Sequence, residues 1–298
     1  MEKIQEAIAR HGNTWTLKTN SEMNELYEPL HAGQAANFTH AVKVQKGIKY
    51  GDHERHRIDI YSPAVLDPDD SLPVVVFFHG GGFTSGDNDI TPSMHGHIGN
   101  YFASNKCLCI LATYRLLPEA RYPSGGRDTA QALRWVQDHA AKYGGNAAKM
   151  IAVGQSAGGA HLASATWAGF LADAGVALDG LILLSPPLWY DLKQARRREN
   201  MMLYHESENE EDILGKAGAS VFQNSTIADE PRLLLMVAEF DSNEIVDGNL
   251  RFVEAYRKKY NRMPLFEVMA GHNHISNILA IGLPDDKIGK RILAFLDQ

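Results

Sequence analysis

The chain has 298 residues, of which 44% are hydrophobic, and its formal net charge is −7. This length suffices for a large core in one domain, and no long basic run supplies the charge that nucleic-acid binding requires. No run of 18 apolar residues occurs, and the charged first residues lack the apolar core of a signal peptide, so we expect a cytoplasmic protein that does not insert into membranes.

The order of elements along the chain predicts an α/β fold. The pattern of residues 1–41 predicts helix, turn and loop, and we expect this segment to form an N-terminal arm or cap. Alternating runs at 41–51 and 56–64 predict an antiparallel pair of strands at a sheet edge. Short, nearly continuous apolar runs then alternate with helical segments, as in a mostly parallel, doubly wound sheet covered on both faces. We therefore expect a single domain over 1–298.

One segment interrupts this alternation. Residues 187–230 are polar, charged and long for a connection between strands. Long insertions of this kind usually serve as lids or surface excursions. The segment therefore predicts a small helical insertion that acts as a cap.

The two cysteines, Cys107 and Cys109, lie in the apolar run KCLCILATYR. Residues at i and i+2 of a strand share one face. We expect two buried, reduced thiols rather than a disulfide or a metal site.

The stretch KMIAVGQSAGG carries the first chemical signal. Gly154, Ser156 and Gly158 form G-x-S-x-G between a predicted strand and a predicted helix, which is the context of a nucleophile elbow. Such a turn exposes the serine hydroxyl above the sheet, and the helix N-terminus behind it supplies unpaired N–H groups. The spacing therefore indicates that Ser156 is a nucleophile.

A glycine-rich loop, His79 to Phe83, follows the first long apolar run. Its glycines let backbone N–H groups point into an open site, where they can bind an oxyanion. A phosphate-binding loop needs a following Lys and Ser or Thr, but this chain continues with FTSGDND, which has two aspartates and no lysine. We favour an oxyanion site, and we expect His79 to shape the loop rather than act as a base.

A serine nucleophile needs a base and an acid that orients the base, in the chain order Ser, Asp or Glu, His. Asp241 follows a predicted strand and is the first choice for the acid. Three nearby acids compete with it: Glu239, Glu244 and Asp247. The next strand ends in GHNHIS, so His272 and His274 both fall where the base belongs, and spacing alone does not choose between them.

Residues 74–165 resemble the hormone-sensitive-lipase-like esterases of the α/β-hydrolase superfamily. The matching motifs are HGGGF, YRLLPEARYPSGGRDTAQALRWV and GQSAGGAHLA, in the same order as in that family. The resemblance implies the α/β-hydrolase fold, Ser156 as nucleophile and Asp241 as the acid that orients the histidine. It implies three oxyanion donors, the amides of Gly81, Gly82 and Ala157, and small-molecule esters as substrates, with no metal or organic cofactor.

Two departures make the chain similar to a neighbouring group, the arylformamidases (kynurenine formamidases) and related small esterases. Gln155 stands where the first family usually carries Asp, and HNHIS replaces its usual HGF. The second group is similar at IKYG, IDIYSP and WYDL, and its similarity at NHIS favours His274 as the base. The third glycine of HGGGF fits esterases better. A carboxylesterase acting on small to medium acyl or aryl esters is therefore the main hypothesis, and formamide hydrolysis is the alternative.

Aromatic residues flank the motifs and strand ends where the mouth of the site is expected: Phe83, Trp189, Tyr190 and Phe240. They are candidates for an apolar acyl or aryl pocket, although ordinary core packing explains each of them equally well. Similar esterases often pair through edge strands, so the resemblance also implies a homodimer.

Two other classes of function stay open. The pairs His95/His97 and His272/His274 could ligate zinc, but the first lies in a predicted helix, where residues two apart diverge. A binding protein on the same fold would keep the pocket and lose a member of the triad. Candidates for all three triad positions are present, which favours an enzyme.

Overall fold

The chain folds into one mixed sheet with helices on both faces. The computed structural model describes residues 1–67, 70–227 and 230–298. In these ranges the strands are β1 Val42–Lys49, β2 Arg57–Pro63, β3 Leu72–Phe78, β4 Leu108–Ala112, β5 Gly145–Gln155, β6 Gly180–Leu184, β7 Arg232–Phe240 and β8 Leu265–Asn273.

The helices fill the connections between strands and both ends of the chain. They are α1 Glu2–His11, α2 Leu17–Ala32, α3 Ala35–Phe38, α4 Gly96–Ser104, α5 Ser124–His139, α6 Ala157–Trp167, α7 Phe170–Asp173, α8 Ala195–His205, α9 Glu210–Gly215, α10 Gly218–Asn224, α11 Asn243–Tyr260, α12 Ser276–Leu279 and α13 Ile288–Leu296. A 3-10 helix, Ala140–Tyr143, follows α5.

The sheet order is β1-β2-β4-β3-β5-β6-β7-β8. β1 pairs antiparallel with β2, and β2 pairs antiparallel with β4, while the remaining neighbours are parallel. The predicted α/β-hydrolase fold, with an antiparallel N-terminal edge on a parallel sheet, is confirmed. Strands β4 and β6 are buried along their whole length because helices cover both faces, whereas the edge strand β8 is half exposed.

Two hydrophobic clusters cover the two faces of the sheet. Because side chains alternate along a strand, β3 sends Val74 and Val76 into one cluster and Val75 and Phe77 into the other. The first cluster includes side chains of α5, α6 and α11, and the second includes those of α4 and α13. The sheet is therefore the central layer of a three-layer structure.

The N-terminal helices contribute to the second cluster. Ile8, Met23 and Tyr27 are each at most 1% exposed there. Nε2 of His31, at the end of α2, donates to the Leu279 carbonyl of α12 at 2.7 Å, and the His31 ring packs 4.1 Å from the ring of His97. The segment predicted as an arm thus shares the core with the end of the chain.

The insertion predicted over 187–230 contains the three short helices α8, α9 and α10. Its residues 228 and 229 lie outside the described residues. Met201, Tyr204 and Ile213 of this insertion form a third cluster with Phe83 and Ala157, next to the glycine-rich loop and the start of α6. The insertion therefore packs against the glycine-rich loop and the start of α6.

The two cysteines are free and buried, as expected for reduced thiols. Both lie in the second cluster, and burial raises the pKa of the Cys107 thiol to about 12. In the parts of the chain that the structure describes, no helix combines the length and the apolar composition that crossing a bilayer demands.

We predict that Met23→Ala lowers the free energy of unfolding by about 2–5 kcal/mol, because the residue is fully buried and its removal leaves a cavity. Leu17→Ala, on the same helix but 63% exposed, is the control and should change stability by no more than about 0.5 kcal/mol. Urea unfolding of both variants measures the difference. Equal stability of Met23→Ala and the wild type would show that the N-terminal helices are not part of the core.

Buried histidines make the fold sensitive to acid. Burial lowers the pKa of both His161 and His205 to about 4, and within the described residues neither ring nitrogen of His205 has a hydrogen-bond partner. In an unfolded chain the pKa of a histidine is about 6.5. Between pH 6.5 and 4 the unfolded state therefore binds more protons than the folded state. The contribution of these buried, neutral rings to the free energy of unfolding is fully present above about pH 6.5 and is lost as the pH falls towards 4.

We predict that His205→Phe reduces this acid sensitivity, because it removes one buried group that must stay neutral. The dependence of unfolding free energy on pH between 6.5 and 4 should become shallower by up to about 1.4 kcal/mol per pH unit. Urea titrations at several pH values measure the slope. His40→Phe, which removes an exposed imidazole, is the control and should keep the wild-type slope; a wild-type slope in His205→Phe would contradict the prediction.

Candidate active site

Ser156 lies on the turn between β5 and α6. Its backbone has φ 51° and ψ −120°, a region that side-chain-bearing residues rarely adopt. The first turn of α6 approaches the end of β3 so closely that a Cβ on Gly158 would lie 2.3 Å from the Phe78 carbonyl oxygen. Only glycine fits at that position, and the turn holds the serine at the carboxyl edge of the sheet.

The glycine-rich loop lies beside this serine. A Cβ on Gly80 would be 3.1 Å from Cβ of Ser156. Gly81 and Gly82 have φ values of 137° and 62°, and no hydrogen bond from their N–H groups is found in the described ranges. Ala157 is the first residue of α6, so its N–H has no acceptor inside the helix. Three amides are thus free to bind a developing negative charge.

Arg55 and His79 bind the backbone of the glycine-rich loop and of the chain just after it. Nδ1 of His79 donates to the Gly80 carbonyl at 2.7 Å, and Nη2 of Arg55 donates to the Gly86 carbonyl at 2.9 Å. The Tyr114 hydroxyl donates to the His79 carbonyl at 2.6 Å, and the two rings stack. Burial lowers the pKa of His79 to about 3, so its ring stays neutral. His79 therefore has the loop-shaping contacts that the sequence predicted.

An acid and an imidazole lie in line with the serine. Nδ1 of His274 lies 2.7 Å from Oδ1 of Asp241, and Nε2 of the same ring lies 2.8 Å from Oγ of Ser156. A carboxylate can only accept, so Nδ1 carries the proton and Nε2 is left to accept from the hydroxyl. All three side chains belong to residues at most 9% exposed.

Asp241 is fixed by further donors. Its Oδ2 accepts from the Ser185 hydroxyl at 2.6 Å and from the Ala238 N–H at 2.7 Å. Ser185 in turn accepts from the Asn277 amide at 3.0 Å. The carboxylate is therefore held with one oxygen towards the imidazole, which keeps the ring in the tautomer that the serine needs.

The competing acids lie elsewhere. Glu239 accepts from the Gly271 N–H at 2.7 Å, Glu244 pairs with Arg197 at 2.7 Å, and Asp247 is exposed on α11. None of them contacts an imidazole among the described residues. Of the four acids considered, the structure brings Asp241 to the serine site.

His272 contacts the chain that follows it, and no hydrogen bond joins it to Ser156 among the described residues. Its Nδ1 lies 3.2 Å from the Ser276 hydroxyl, and burial lowers its pKa. His272 is still part of β8, whereas His274 follows the strand. The two histidines therefore occupy different surroundings although they are two residues apart.

The pair His95/His97 binds backbone carbonyls, whereas His272 and His274 bind different side chains. Nδ1 of His95 donates to the Asp87 carbonyl at 2.7 Å, and Nε2 of His97 donates to the Ile278 carbonyl at 3.0 Å. Across the described residues, no three His, Cys, Asp or Glu side chains come together as ligands for a metal ion.

The four predicted pocket aromatics do not form one group. Phe83 and Tyr190 are 2% and 3% exposed and lie in the third cluster with Ala157. Trp189 is half-buried, and the guanidinium of Arg251, a residue of α11, lies 4.6 Å from the centre of its ring. Phe240 is half-buried against the second cluster. Only the first two therefore flank the start of α6.

Two residues contact or lie near His274 although the sequence did not predict this placement. Nε2 of Gln155 donates to the His274 carbonyl at 2.9 Å, whereas the sequence marked this residue only by its place inside G-x-S-x-G and as a departure from the Asp usual in the resembled family. Trp15 lies in the loop between α1 and α2, with its ring 6.3 Å from the ring of His274. No local pattern marks residue 15, because the two positions meet only through the fold.

The comparisons with known proteins bear on the fold and the family of the chain. The pattern of the alpha/beta hydrolase fold family matches residues 75–274. Carboxylesterase NlhH of Mycobacterium tuberculosis is 37% identical over 139 residues, which are 46% of this chain and 40% of that protein. Esterase LipI of the same organism is 32% identical over 131 residues, or 44% of this chain and 38% of that protein. The chain thus matches less than half the length of these relatives.

Among solved structures, Esterase B from Lactobacillus Rhamnosis superposes with a TM-score of 0.73 over 100% of this chain and 96% of that chain, at 15% identity. At that identity the likeness shows the fold. The family match extends from β3, through the elbow at Ser156, to His274. From these matches, and from the sheet order described above, we conclude that the chain belongs to the alpha/beta hydrolase fold family.

Proposed function

We propose that the protein is a serine hydrolase that cleaves carboxylic esters of small to medium acyl or aryl substrates. The observation that carries this proposal is the continuous line from Asp241 through His274 to Ser156, with contacts of 2.7 and 2.8 Å. The free amides of the glycine-rich loop beside the serine support it, because ester cleavage passes through an oxyanion. The names of the similar proteins, carboxylesterase and esterase, point to the same bond.

The arrangement suits acyl transfer in two steps. The Ser156 hydroxyl attacks the ester carbonyl carbon while Nε2 of His274 takes its proton. The amides of Gly81, Gly82 and Ala157 stabilise the oxyanion, each by roughly 3 kcal/mol. His274 then gives the proton to the leaving alcohol, and an acyl-enzyme remains. Water, deprotonated by the same imidazole, releases the acid and restores the serine.

The surroundings of the elbow favour a small acyl group. Phe83, Tyr190 and Tyr204 are buried against Ala157, so aromatic side chains already occupy the space on that side of α6. A long acyl chain would have to displace them. Formamide hydrolysis by the same triad is the alternative, since it uses the same attack on a small acyl carbon.

Location and assembly are part of the same proposal. The free, buried cysteines suit a reducing compartment such as the cytoplasm. The edge strand β8 exposes Val268 at 57% and Leu265 at 47%, and an open apolar edge is a surface through which a second copy can pair.

We predict that Ser156→Ala abolishes turnover of p-nitrophenyl acetate and blocks covalent labelling by a fluorophosphonate, while the unfolding transition stays cooperative. His274→Ala should lower kcat by at least about a thousandfold, because the serine loses its base. His272→Ala is the matched control and should lower kcat far less.

Equal losses of kcat in the two histidine variants would contradict the assignment of His274 as the base. Wild-type enzyme that turns over esters without being labelled at Ser156 would contradict the assignment of the nucleophile. A preference for N-formyl aryl amines by orders of magnitude would select the alternative substrate.

Gln155 supports the proposed base without touching the reacting atoms. Its Nε2 donates to the backbone carbonyl of His274 at 2.9 Å. Its Oε1 faces the glycine-rich loop, because a Cβ placed on Gly80 would lie 2.0 Å from that oxygen. One neutral amide thus contacts both the histidine loop and the glycine-rich loop. Gln155 is a positioning residue in this proposal.

We predict that Gln155→Met lowers kcat by up to about tenfold with little change in KM, because one hydrogen bond to the histidine loop is lost, a contribution of about 0.5–1.5 kcal/mol. The acid limb of its kcat/KM profile should stay in place. Gln155→Glu adds a negative charge near the imidazole, which favours the protonated ring, so its acid limb should move to higher pH. Full wild-type kcat in Gln155→Met would exclude a positioning role.

A further inference from the structure

The loop between α1 and α2 lies across the ends of β7 and β8. Nδ2 of Asn13 donates to Oδ1 of Asn243 at 3.2 Å, two residues beyond Asp241. Both flanking helices bury apolar side chains in the second cluster, so the loop is held at both ends by the core. The side chain that this loop brings to the site is Trp15.

Trp15 is oriented but not buried. Its Nε1–H donates to Oδ1 of Asn20 at 3.1 Å, which satisfies its one polar atom and fixes the indole. The residue is nevertheless 43% exposed. A tryptophan that is held in place and yet open on part of its surface offers an apolar face that the fold itself does not use.

The indole and the imidazole of His274 form a corner. Their ring centres are 6.3 Å apart and their planes meet at 76°. A flat group lying against the indole can therefore direct a substituent towards the imidazole edge. The third cluster instead contains Phe83 of the glycine-rich loop and Ala157 of α6, and among the described residues neither Trp15 nor His274 belongs to it.

In the proposed mechanism the leaving alcohol and the acyl oxygen of the substrate contact different parts of the site. Nε2 of His274 passes the proton of Ser156 to the leaving oxygen, so the leaving alcohol must lie next to the imidazole. The acyl oxygen instead points to the amides of Gly81, Gly82 and Ala157. A wall beside His274 therefore contacts the leaving group rather than the acyl group.

Resting on the proposed esterase function, we propose that Trp15 forms the leaving-group subsite and selects esters of planar aromatic alcohols. Stacking on an aromatic ring requires a flat, apolar partner, and the exposed indole offers such a surface within reach of the imidazole. The N-terminal segment, outside the family match at 75–274, thus determines which alcohol is released.

The test compares two acetate esters that form the same acetyl-enzyme. One is naphthyl acetate, and the other is a fluorinated isopropyl acetate, whose alcohol is a good leaving group without an aromatic ring. In Trp15→Ala, kcat/KM for naphthyl acetate should fall about tenfold, as expected from the loss of an aromatic pair and its buried area. For the fluoroalkyl ester it should change by less than about twofold. Trp15→Phe should keep most of the naphthyl activity.

Controls separate this subsite from the triad and from folding. Trp135→Ala removes a tryptophan that stacks on His139 in α5, and it should leave the ratio between the two esters unchanged. Preference for acyl length on p-nitrophenyl esters should also be unchanged in Trp15→Ala. Equal losses on both acetates, no loss on either, or a changed acyl preference would overturn the subsite. Failure of the wild type to hydrolyse esters or to be labelled at Ser156 would instead reject the esterase function.

Discussion

The close approach of β3 to the first turn of α6 is the constraint on which the site depends. It exists because residue 158 has no side chain, so the backbone of the helix can contact the Phe78 carbonyl. Neighbouring parallel strands β3 and β5 then end side by side, with the glycine-rich loop and the serine in contact across them. A bulkier residue at 158 would move the Ser156 hydroxyl away from the amides of the glycine-rich loop, even if Asp241 and His274 kept their places.

The other parts of the site converge on the same edge of the sheet because parallel strands end there together. Asp241 follows β7 and His274 follows β8, so each side chain starts at a strand end and needs only a short reach. Buried polar groups then fix the orientation, since Ser185 and the Ala238 amide leave Asp241 one free oxygen for the imidazole. Local geometry and low exposure together make the hydrogen bonds worth more than they would be in water.

Much of this arrangement could be predicted from the sequence because its signals are local. The strands were recognisable from their continuous apolar runs, and the elbow from glycines around Ser156 within one short stretch. The spacing of His272 and His274 did not choose between them, and only the resemblance at NHIS favoured His274. Residues two apart on a strand point the same way, and only the end of β8 at Asn273 places His274 on the loop.

Contacts between distant segments could not be predicted in the same way. The placement of β2 beside β4 rather than beside β3 is a matter of sheet topology, which no run of residues encodes. Arg55, in the connection between β1 and β2, reaches the His79 ring of the glycine-rich loop and the Gly86 carbonyl beyond it, and Trp15 reaches His274 across more than 250 residues. Their residue types are ordinary for loops, so only the folded chain shows what they contact.

The packing of α2 on α12 has a consequence for how the protein is made. The His31 side chain is synthesised early, but the Leu279 carbonyl that it binds is 248 residues further along the chain. During translation the apolar sides of the first two helices lack the part of their docking surface that β8 and α12 supply until those elements have left the ribosome. These two helices therefore complete their packing only after β8 and α12 have been made, and their exposed apolar side chains need shielding from aggregation until then.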